Sequence, residues 1–161
     1  MKPIIVEATR IVDAPPAAAY NVFRDYNVGH QAVLPRPEFE SMIVEKGGVG
    51  EGTIIYLTTR MFGQVRHMRQ VVSEPEPGRI LKEQDVDSTL FTHFIVDPLD
   101  DGRRSVVTIR TEFPAPGGLA GLFMRLMLPP MMRGLYKREL ENLASYLREN
   151  TAAPVAQAAK S

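Results

Sequence analysis

Two histidines in the middle of the chain carry the side chain best suited to acid–base chemistry near neutral pH. His67 and His93 each interrupt a stretch of strand-forming residues, where an imidazole could exchange a proton with a bound molecule. If His67 faces inward, Arg69 does too, and the pair could polarise a carbonyl group. The alternative for His67 is a solvated strand face. The apolar neighbours Phe91 and Ile95 leave both interpretations open for His93.

Other arrangements of reactive side chains are missing from the sequence or incomplete. The chain has no cysteine, and its three histidines lack the close spacing that builds a zinc centre, so we predict no metal site and no cofactor. The glycines between positions 47 and 52 are not followed by the Gly-Lys-Ser/Thr ending of a phosphate-binding loop. His30 lies in a proline-bounded helical segment and is interpreted as a surface histidine, with a cavity mouth as the alternative.

Composition narrows the class of protein. The 161 residues suffice for one domain of ordinary size, which we place at residues 1–150. Lysine plus arginine equals aspartate plus glutamate at 19 each, so the net charge does not indicate nucleic acid as a partner. The N-terminus does not resemble a signal peptide, no apolar run could span a bilayer, and the lack of cysteine fits a reducing compartment. We therefore expect a cytoplasmic protein without a transmembrane segment, as a monomer or homodimer.

Short β-branched segments separated by turn residues dominate the middle of the chain. A first strand over Ile4–Val12 ends at two prolines, and two short helical segments follow it within residues 17–34. Six further strands are predicted at 39–46, 53–61, 64–73, 79–86, 89–96 and 105–113. Their short connections favour antiparallel hairpins, because a parallel pair needs a longer crossover. The pattern therefore predicts an antiparallel meander.

Only the last of these strands has an unambiguous inner face. Alternation places four of its residues on one face: Val107, Ile109, Thr111 and Phe113. In the strands at 53–61, 64–73 and 89–96 the residue pattern does not determine which face is turned inward. The sequence therefore does not determine which side chains of these three strands would line a cavity under the sheet.

A long amphipathic helix is predicted from Pro116 to Asn150. The second half of its apolar stripe comprises Leu135, Leu140, Leu143 and Leu147. Charged residues such as Glu139 are expected off this stripe. Pro129-Pro130 predicts a kink, or a short helix followed by a longer one, and the methionines around it are core filling or an adaptable lining for an apolar guest. Residues 151–161 are expected to form a disordered tail.

Four short motifs stand in a distinctive order along the chain. They are Ile11-Val-Asp-Ala-Pro-Pro16, Gly50-Glu-Gly52-Thr53, Val72-Ser-Glu-Pro-Glu-Pro-Gly78 and Arg138-Glu-Leu-Glu-Asn-Leu143. Together with the order of elements, they resemble the helix-grip superfamily, also called START-like or SRPBCC, in its polyketide cyclase/dehydrase-like branch. The resemblance implies an α+β fold in which a curved antiparallel sheet of about seven strands wraps around a long C-terminal α-helix. It also implies an apolar cavity between sheet and helix that binds lipids, polyketides or similar molecules.

A set of side chains from the strands and the helix is predicted to line this cavity and bind the ligand. They are Leu57, Thr59, Met61, Gln84, Phe91, His93, Ile95, Thr111, Phe113, Phe123, Met127 and Met131. The first functional interpretation is a carrier for a small hydrophobic molecule. The second is an enzyme of the polyketide cyclase/dehydratase type that uses His67 or His93 as acid or base. The third is a docking module that presents the segment Leu122–Met132 to a lipid or protein surface, with peripheral membrane contact.

Overall fold

The computed structural model describes residues 2–158, with side chains as far as Thr151, and confirms the predicted α+β helix-grip fold. The strands of the described chain are β1 (Ile4–Val12), β2 (Phe39–Lys46), β3 (Ile54–Met61), β4 (Gln64–Glu76), β5 (Ile80–Asp85), β6 (Phe91–Leu99) and β7 (Arg104–Phe113). The helices are α1 (Pro16–Arg24), α2 (Gly29–Val33) and α3 (Gly118–Ala158). The two short helices thus follow the first strand, as predicted.

The strands form one curved antiparallel sheet in the order β1-β7-β6-β5-β4-β3-β2. Consecutive pairing from β2 to β7 is the predicted meander, and β1 completes the sheet by pairing with β7. In β7 the side chains of Val107, Ile109 and Thr111 are buried, which confirms the inner face predicted for this strand. The sheet therefore has one face turned to the core and one turned outward.

The second half of α3 packs against the core. Its buried side chains are Met132, Leu135, Tyr136, Leu140, Leu143 and Leu147. Each fully buried leucine contributes roughly 1.5–3 kcal/mol to stability, so this face fixes the helix on the sheet. Glu139 shares the face at 2% exposure, and its predicted place off the apolar stripe is wrong.

α3 continues through Pro129-Pro130, and the predicted alternative of two separate helices is wrong. The prolines lack amide hydrogens, so the carbonyl groups of Arg125 and Leu126 receive no helical hydrogen bond. Both of these residues are exposed, which lets water hydrate the carbonyl groups. A bend at the prolines, the other alternative, stays a prediction.

The C-terminal end of α3 extends into the predicted tail. The helix is assigned as far as Ala158, whereas the side chains of 152–158 and all of residues 159–161 lie outside the described residues. A disordered segment at 151–161 therefore stays a prediction. Although α3 is 41 residues long, no helix in the described chain combines the length and the apolar character that crossing a membrane requires.

Candidate functional site

A cavity of about 440 Å³ lies between the inner face of the sheet and α3. Strands β2 to β7 supply one wall, and α2 and α3 supply the other. Much of the lining is apolar, including Leu34, Phe39, Met42, Met68, Phe94, Ile109, Met124, Leu128 and Met132. Small-molecule sites typically occupy roughly 300–1,000 Å³, so the cavity is large enough for such a ligand.

Most of the side chains predicted to contact a ligand do line this cavity. They are Leu57, Thr59, Met61, Thr111, Phe113, Phe123, Met127 and Met131. The β3 residues share the buried phase of that strand, and the three α3 residues lie in the half of the helix that covers the cavity. Their contact with a ligand stays a prediction.

Four of the predicted cavity residues lie on the outer face of the sheet, and their assignment to the cavity is wrong. They are Gln84, Phe91, His93 and Ile95. The buried side chains of β6 are instead Thr92, Phe94 and Val96. Thr92 pairs with Thr111 of β7, and this register sets the phase of the whole strand.

The contacts of Gln84 and His93 explain their outward positions. Gln84 Nε2 donates hydrogen bonds to carbonyl groups in the β5–β6 turn, including that of Leu90 at 3.0 Å. His93 lies between Lys82 of β5 and Arg110 of β7. Partial burial, and then these two cations, lower the pKa of His93. His93 is therefore not placed to exchange protons with a molecule in the cavity.

His67 faces outward together with Arg69. Its Nδ1 lies 3.1 Å from the Thr58 hydroxyl group, and its ring stacks on Tyr56 with centroids 5.6 Å apart. Arg69 donates two hydrogen bonds to the Glu45 carboxylate at 2.8 and 3.0 Å. The predicted His67/Arg69 pair inside the cavity is wrong, and the solvated strand face describes both residues.

His30 is the histidine that the fold places inside, and its predicted surface position is wrong. The residue is 1% exposed and lines the cavity. Its ring stacks on Tyr26 with centroids 4.7 Å apart, and its Nδ1 lies 2.7 Å from the carbonyl oxygen of Phe23. Because a carbonyl oxygen only accepts, Nδ1 carries the proton and Nε2 presents a lone pair. Burial lowers the pKa of His30 to about 4, so the imidazole is neutral near pH 7.

Close packing of α2 on α1 holds His30 in this place. A Cβ atom at Gly29 would lie 2.7 Å from the carbonyl oxygen of Val22, so only glycine permits the approach without a shift. The Asp25 carboxylate accepts a hydrogen bond from the Val28 amide at 3.2 Å, and the Asp25 carbonyl accepts one from the His30 amide at 2.8 Å. These contacts fix the first turn of α2 and with it the imidazole.

Two buried carboxyl groups flank His30 at the closed end of the cavity. His30 Nε2 lies 3.7 Å from Glu83 Oε1 on β5 and 3.7 Å from Glu139 Oε1 on α3. The Tyr26 hydroxyl group donates a hydrogen bond to Glu83 at 2.8 Å, whereas Glu139 Oε1 has no hydrogen-bond partner among the described residues. We call His30, Glu83 and Glu139 the buried acid cluster. Within the part of the chain that the structure describes, no group of three or more side chains is arranged to hold a metal ion.

Burial decides the protonation of the buried acid cluster. It raises the pKa of Glu83 to about 7, and burial together with the nearby Glu83 charge raises the pKa of Glu139 well above its usual range. Two carboxylates this close in an apolar interior do not both ionise easily, and His30 is neutral. The 3.7 Å contacts are therefore not ion pairs. The cluster instead holds an acidic proton next to a free imidazole lone pair.

Sequence signals for the two glutamates exist but are easy to overlook. Glu139 stands four residues after Leu135 and four before Leu143, so it shares their helical face. Glu83 stands two residues after Leu81, so it shares that side of the strand. Each signal becomes useful only when the burial of the neighbouring leucine is known.

Further polar groups line the cavity beside the cluster. The hydroxyl groups of Tyr136 and Thr111 are hydrogen-bonded, and that of Thr111 lies 2.8 Å from that of Thr92. Gln70 is 3% exposed, and its Oε1 has no hydrogen-bond partner among the described side chains and backbone. Buried polar atoms without partners are destabilising, so a ligand that hydrogen-bonds here would gain affinity.

A curved antiparallel sheet that closes a ligand-sized cavity with a C-terminal helix defines a protein of the helix-grip class. The chain belongs to the family of polyketide cyclase / dehydrase and lipid transport proteins, whose model matches residues 3–148. This finding confirms the resemblance carried by the four sequence motifs. No curated protein sequence matches the chain significantly.

Solved structures share the fold over nearly the whole chain. The KanY protein is 26% identical with a TM-score of 0.79, over 92% of this chain and 99% of its own. The Zhui aromatase/cyclase from Streptomyces is 17% identical with a TM-score of 0.72, over 91% of this chain and 94% of its own. A point mutant of norcoclaurine synthase from Thalictrum flavum, in complex with a transition-state analogue, is 15% identical with a TM-score of 0.69. The match covers 94% of this chain and 99% of the synthase chain. At these identities the two enzymes show a common fold.

Proposed function

We propose that the protein binds a small, predominantly apolar molecule with a polar group at one end. The observation that carries this proposal is the cavity of about 440 Å³, apolar over most of its wall and polar at the buried acid cluster. Burial of apolar ligand surface supplies roughly 25 cal/mol per Å², and the polar groups set the orientation of the ligand. A polyketide, a lipid or a similar molecule has this character.

The buried acid cluster favours a second candidate, an enzyme of the polyketide cyclase/dehydratase type. In a ring closure, His30 Nε2 would take a proton from the carbon beside one carbonyl group of the substrate. As that carbon bonds to a second carbonyl carbon, protonated Glu139 would give its proton to the carbonyl oxygen, which becomes a hydroxyl group. Return of the proton from His30 to Glu139 restores both residues. The enzyme interpretation thus moves from His67 and His93 to His30.

The ligand-binding proposal is tested by native mass spectrometry on protein purified from its own host, followed by extraction of any bound molecule. We expect a small hydrophobic adduct on the wild-type protein. The double variant Leu57→Trp/Met131→Trp fills the cavity from β3 and from α3, and should lose the adduct. Ile43→Trp places the same side chain on the exposed face of β2 and should keep it.

Circular dichroism and the unfolding midpoint of each variant establish that the fold is intact. If the double variant is folded and carries the same adduct as the wild-type protein, the ligand is bound elsewhere and the proposal is wrong. The same holds if the wild-type protein carries no adduct and fails to bind apolar fluorescent probes.

The enzyme candidate is tested with poly-carbonyl substrates and the variants His30→Gln and Glu139→Gln. General acid–base groups contribute typically about 10²–10⁴-fold to a rate, so each variant should lose turnover by at least about a hundredfold while still binding the substrate. Unchanged turnover in both folded variants would remove the cluster from the chemistry. Binding without turnover in the wild-type protein would leave a carrier.

A further inference from the structure

The first half of α3 exposes an apolar face to solvent. Leu119, Leu122, Phe123, Leu126 and Met127 are between 44% and 85% exposed, and we call these five residues the mouth ridge. They recur at three- and four-residue spacing and therefore lie on one side of the helix, over a length of roughly 12 Å. Contiguous exposed apolar side chains of this kind mark an interaction surface rather than ordinary surface leucines.

The hairpin between β3 and β4 adds a second apolar group at the same place. Phe62, at its tip, is 66% exposed. Phe62 lines the cavity, as do Phe123 and Met127 of the mouth ridge. The apolar surface therefore surrounds the opening of the cavity, where an apolar molecule would enter or leave.

Among the described residues, the unpaired charges on the two segments that form the opening are positive, and Glu40 of the neighbouring strand β2 is neutralised there by an ion pair with Arg60. The sequence contains no Asp or Glu at positions 52–73 or 113–138, which include the hairpin tip and the whole mouth ridge. Arg66 lines the cavity, Arg125 lies within the ridge, and neither forms an ion pair with a described residue. Arg125 instead donates a hydrogen bond to the Lys2 carbonyl group. A protein with no net charge thus presents a locally cationic apolar surface.

We propose that the mouth ridge and the β3–β4 hairpin tip dock on an anionic lipid bilayer. Apolar side chains would enter the interface between headgroups and acyl chains, while Arg66 and Arg125 remain at the level of the anionic headgroups. A second copy of the chain is a poorer occupant, because a symmetric contact would bring these arginines of the two copies together. If the proposed ligand-binding function also holds, docking would let an apolar molecule pass between the bilayer and the cavity without crossing water.

Vesicle sedimentation tests this proposal with a variant that leaves the cavity wall unchanged. Leu119→Ser/Leu122→Ser/Leu126→Ser alters three ridge residues that do not line the cavity. The matched control Ile11→Ser/Val28→Ser/Ile43→Ser alters three other apolar residues with 52–59% exposure. Vesicles of phosphatidylcholine and phosphatidylglycerol in equal parts are compared with phosphatidylcholine alone.

We expect the wild-type protein and the control variant to bind the anionic vesicles with similar affinity. The ridge variant should bind them with an affinity lower by about tenfold or more. Binding should weaken with added salt and on pure phosphatidylcholine. Absence of binding by the wild-type protein, or an equal loss in the control variant, overturns the proposal. A wild-type protein that is a dimer and a ridge variant that is a monomer would also overturn it, because the ridge would then be an interface between copies. An apolar fluorescent probe added in solution should bind the ridge variant as it binds the wild-type protein, because the three substitutions leave the cavity wall unchanged, and this separates failure of docking from failure of ligand binding.

Discussion

At the scale of single residues, the most unusual feature is a histidine and two glutamates buried in the wall of a largely apolar cavity. Each is at least nine-tenths buried, and Tyr26 is the only described side chain that hydrogen-bonds to Glu83. In an apolar interior the charged forms are unfavourable. Near pH 7 His30 is therefore uncharged and Glu139 stays protonated, whereas Glu83 is about half ionised, and this proton balance links the stability of the fold to pH.

The titration of Glu83 gives a prediction with a definite sign. Its pKa is about 7 in the native protein against 4.5 as its ordinary value, so the native state binds the proton more tightly. Stability from this group is present below about pH 4.5 and is lost as the pH rises to about 7, on the order of 3 kcal/mol in total. Glu83→Gln should remove that loss, since an amide oxygen still accepts from Tyr26. The variant should therefore gain stability relative to wild type between about pH 5 and about pH 8, measured by urea unfolding.

His30 acts in the opposite direction and must be separated from Glu83. Its pKa is lowered from 6.5 to about 4, so its neutral native form contributes stability above pH 6.5 that is lost as the pH falls towards 4. Glu139, whose pKa is also raised, adds to the loss at high pH. His30→Gln is therefore the companion variant. A difference between wild type and Glu83→Gln that does not change with pH would contradict the assignment.

At the scale of elements, α3 has two halves with different environments. Its second half buries a continuous apolar face, whereas Gly121 is the only fully buried residue among its first thirteen. A Cβ atom at Gly121 would lie 1.9 Å from the carbonyl oxygen of Pro116. At Gly134, an exposed position, a Cβ atom would meet nothing within 4 Å. Thus a side chain at Gly121 would clash with the backbone, whereas one at Gly134 would meet no neighbouring atom.

Alanine substitutions at these glycines should change stability in opposite directions. Gly134→Ala should raise the free energy of unfolding by roughly 0.5–1 kcal/mol, because alanine loses less backbone entropy in a helix. Gly121→Ala should lower it, because the helix start must move away from Pro116. Chemical unfolding of both variants under one set of conditions measures the difference. Equal effects of the two substitutions would show that the helix start is not held by this contact.

At the scale of the whole molecule, α3 joins the two ends of an open sheet. β1 and β2 are the edge strands and do not pair with each other. Arg133 donates a hydrogen bond to the Glu7 carbonyl group of β1, and Arg138 forms an ion pair with Glu38, just before β2, at 2.6 Å. The helix α3 therefore closes most of the cavity on the side opposite the sheet. Its second half is anchored to both edges of the sheet, and its first half covers the opening.

This arrangement predicts uneven protection of α3 from hydrogen exchange. Residues 118–130 have few buried contacts in the free protein, so their amides should exchange faster than those of residues 132–147. A bound molecule that fills the cavity should slow exchange in the first half by at least severalfold. Mass spectrometry of deuterium uptake, with and without the extracted ligand, makes the comparison. Uniform protection along α3 in the free protein would count against a loosely held cover.

Local patterns predicted the fold because they report directly on which elements form. Alternation in β7 and the leucine spacing of α3 follow from the strand and helix periods, and short hairpin connections permit little besides a meander. The family and the apolar α3 lining, including Phe123 and Met131, followed from this order of elements. A single domain at 1–150 and a cytoplasmic monomer or homodimer stay predictions.

Local sequence patterns were sufficient to predict the architecture, whereas the residues of the site depend on tertiary contacts. Thr89–Val96 is apolar on both faces, so the pairing of β6 with β7 had to choose between His93 and Phe94. His30 belongs to a helix of five residues, too short for any periodicity, and meets Glu83 and Glu139 across 53 and 109 positions of the chain. A periodic pattern records the environment of one element at a time. The buried acid cluster depends on three elements brought together, which no local pattern contains.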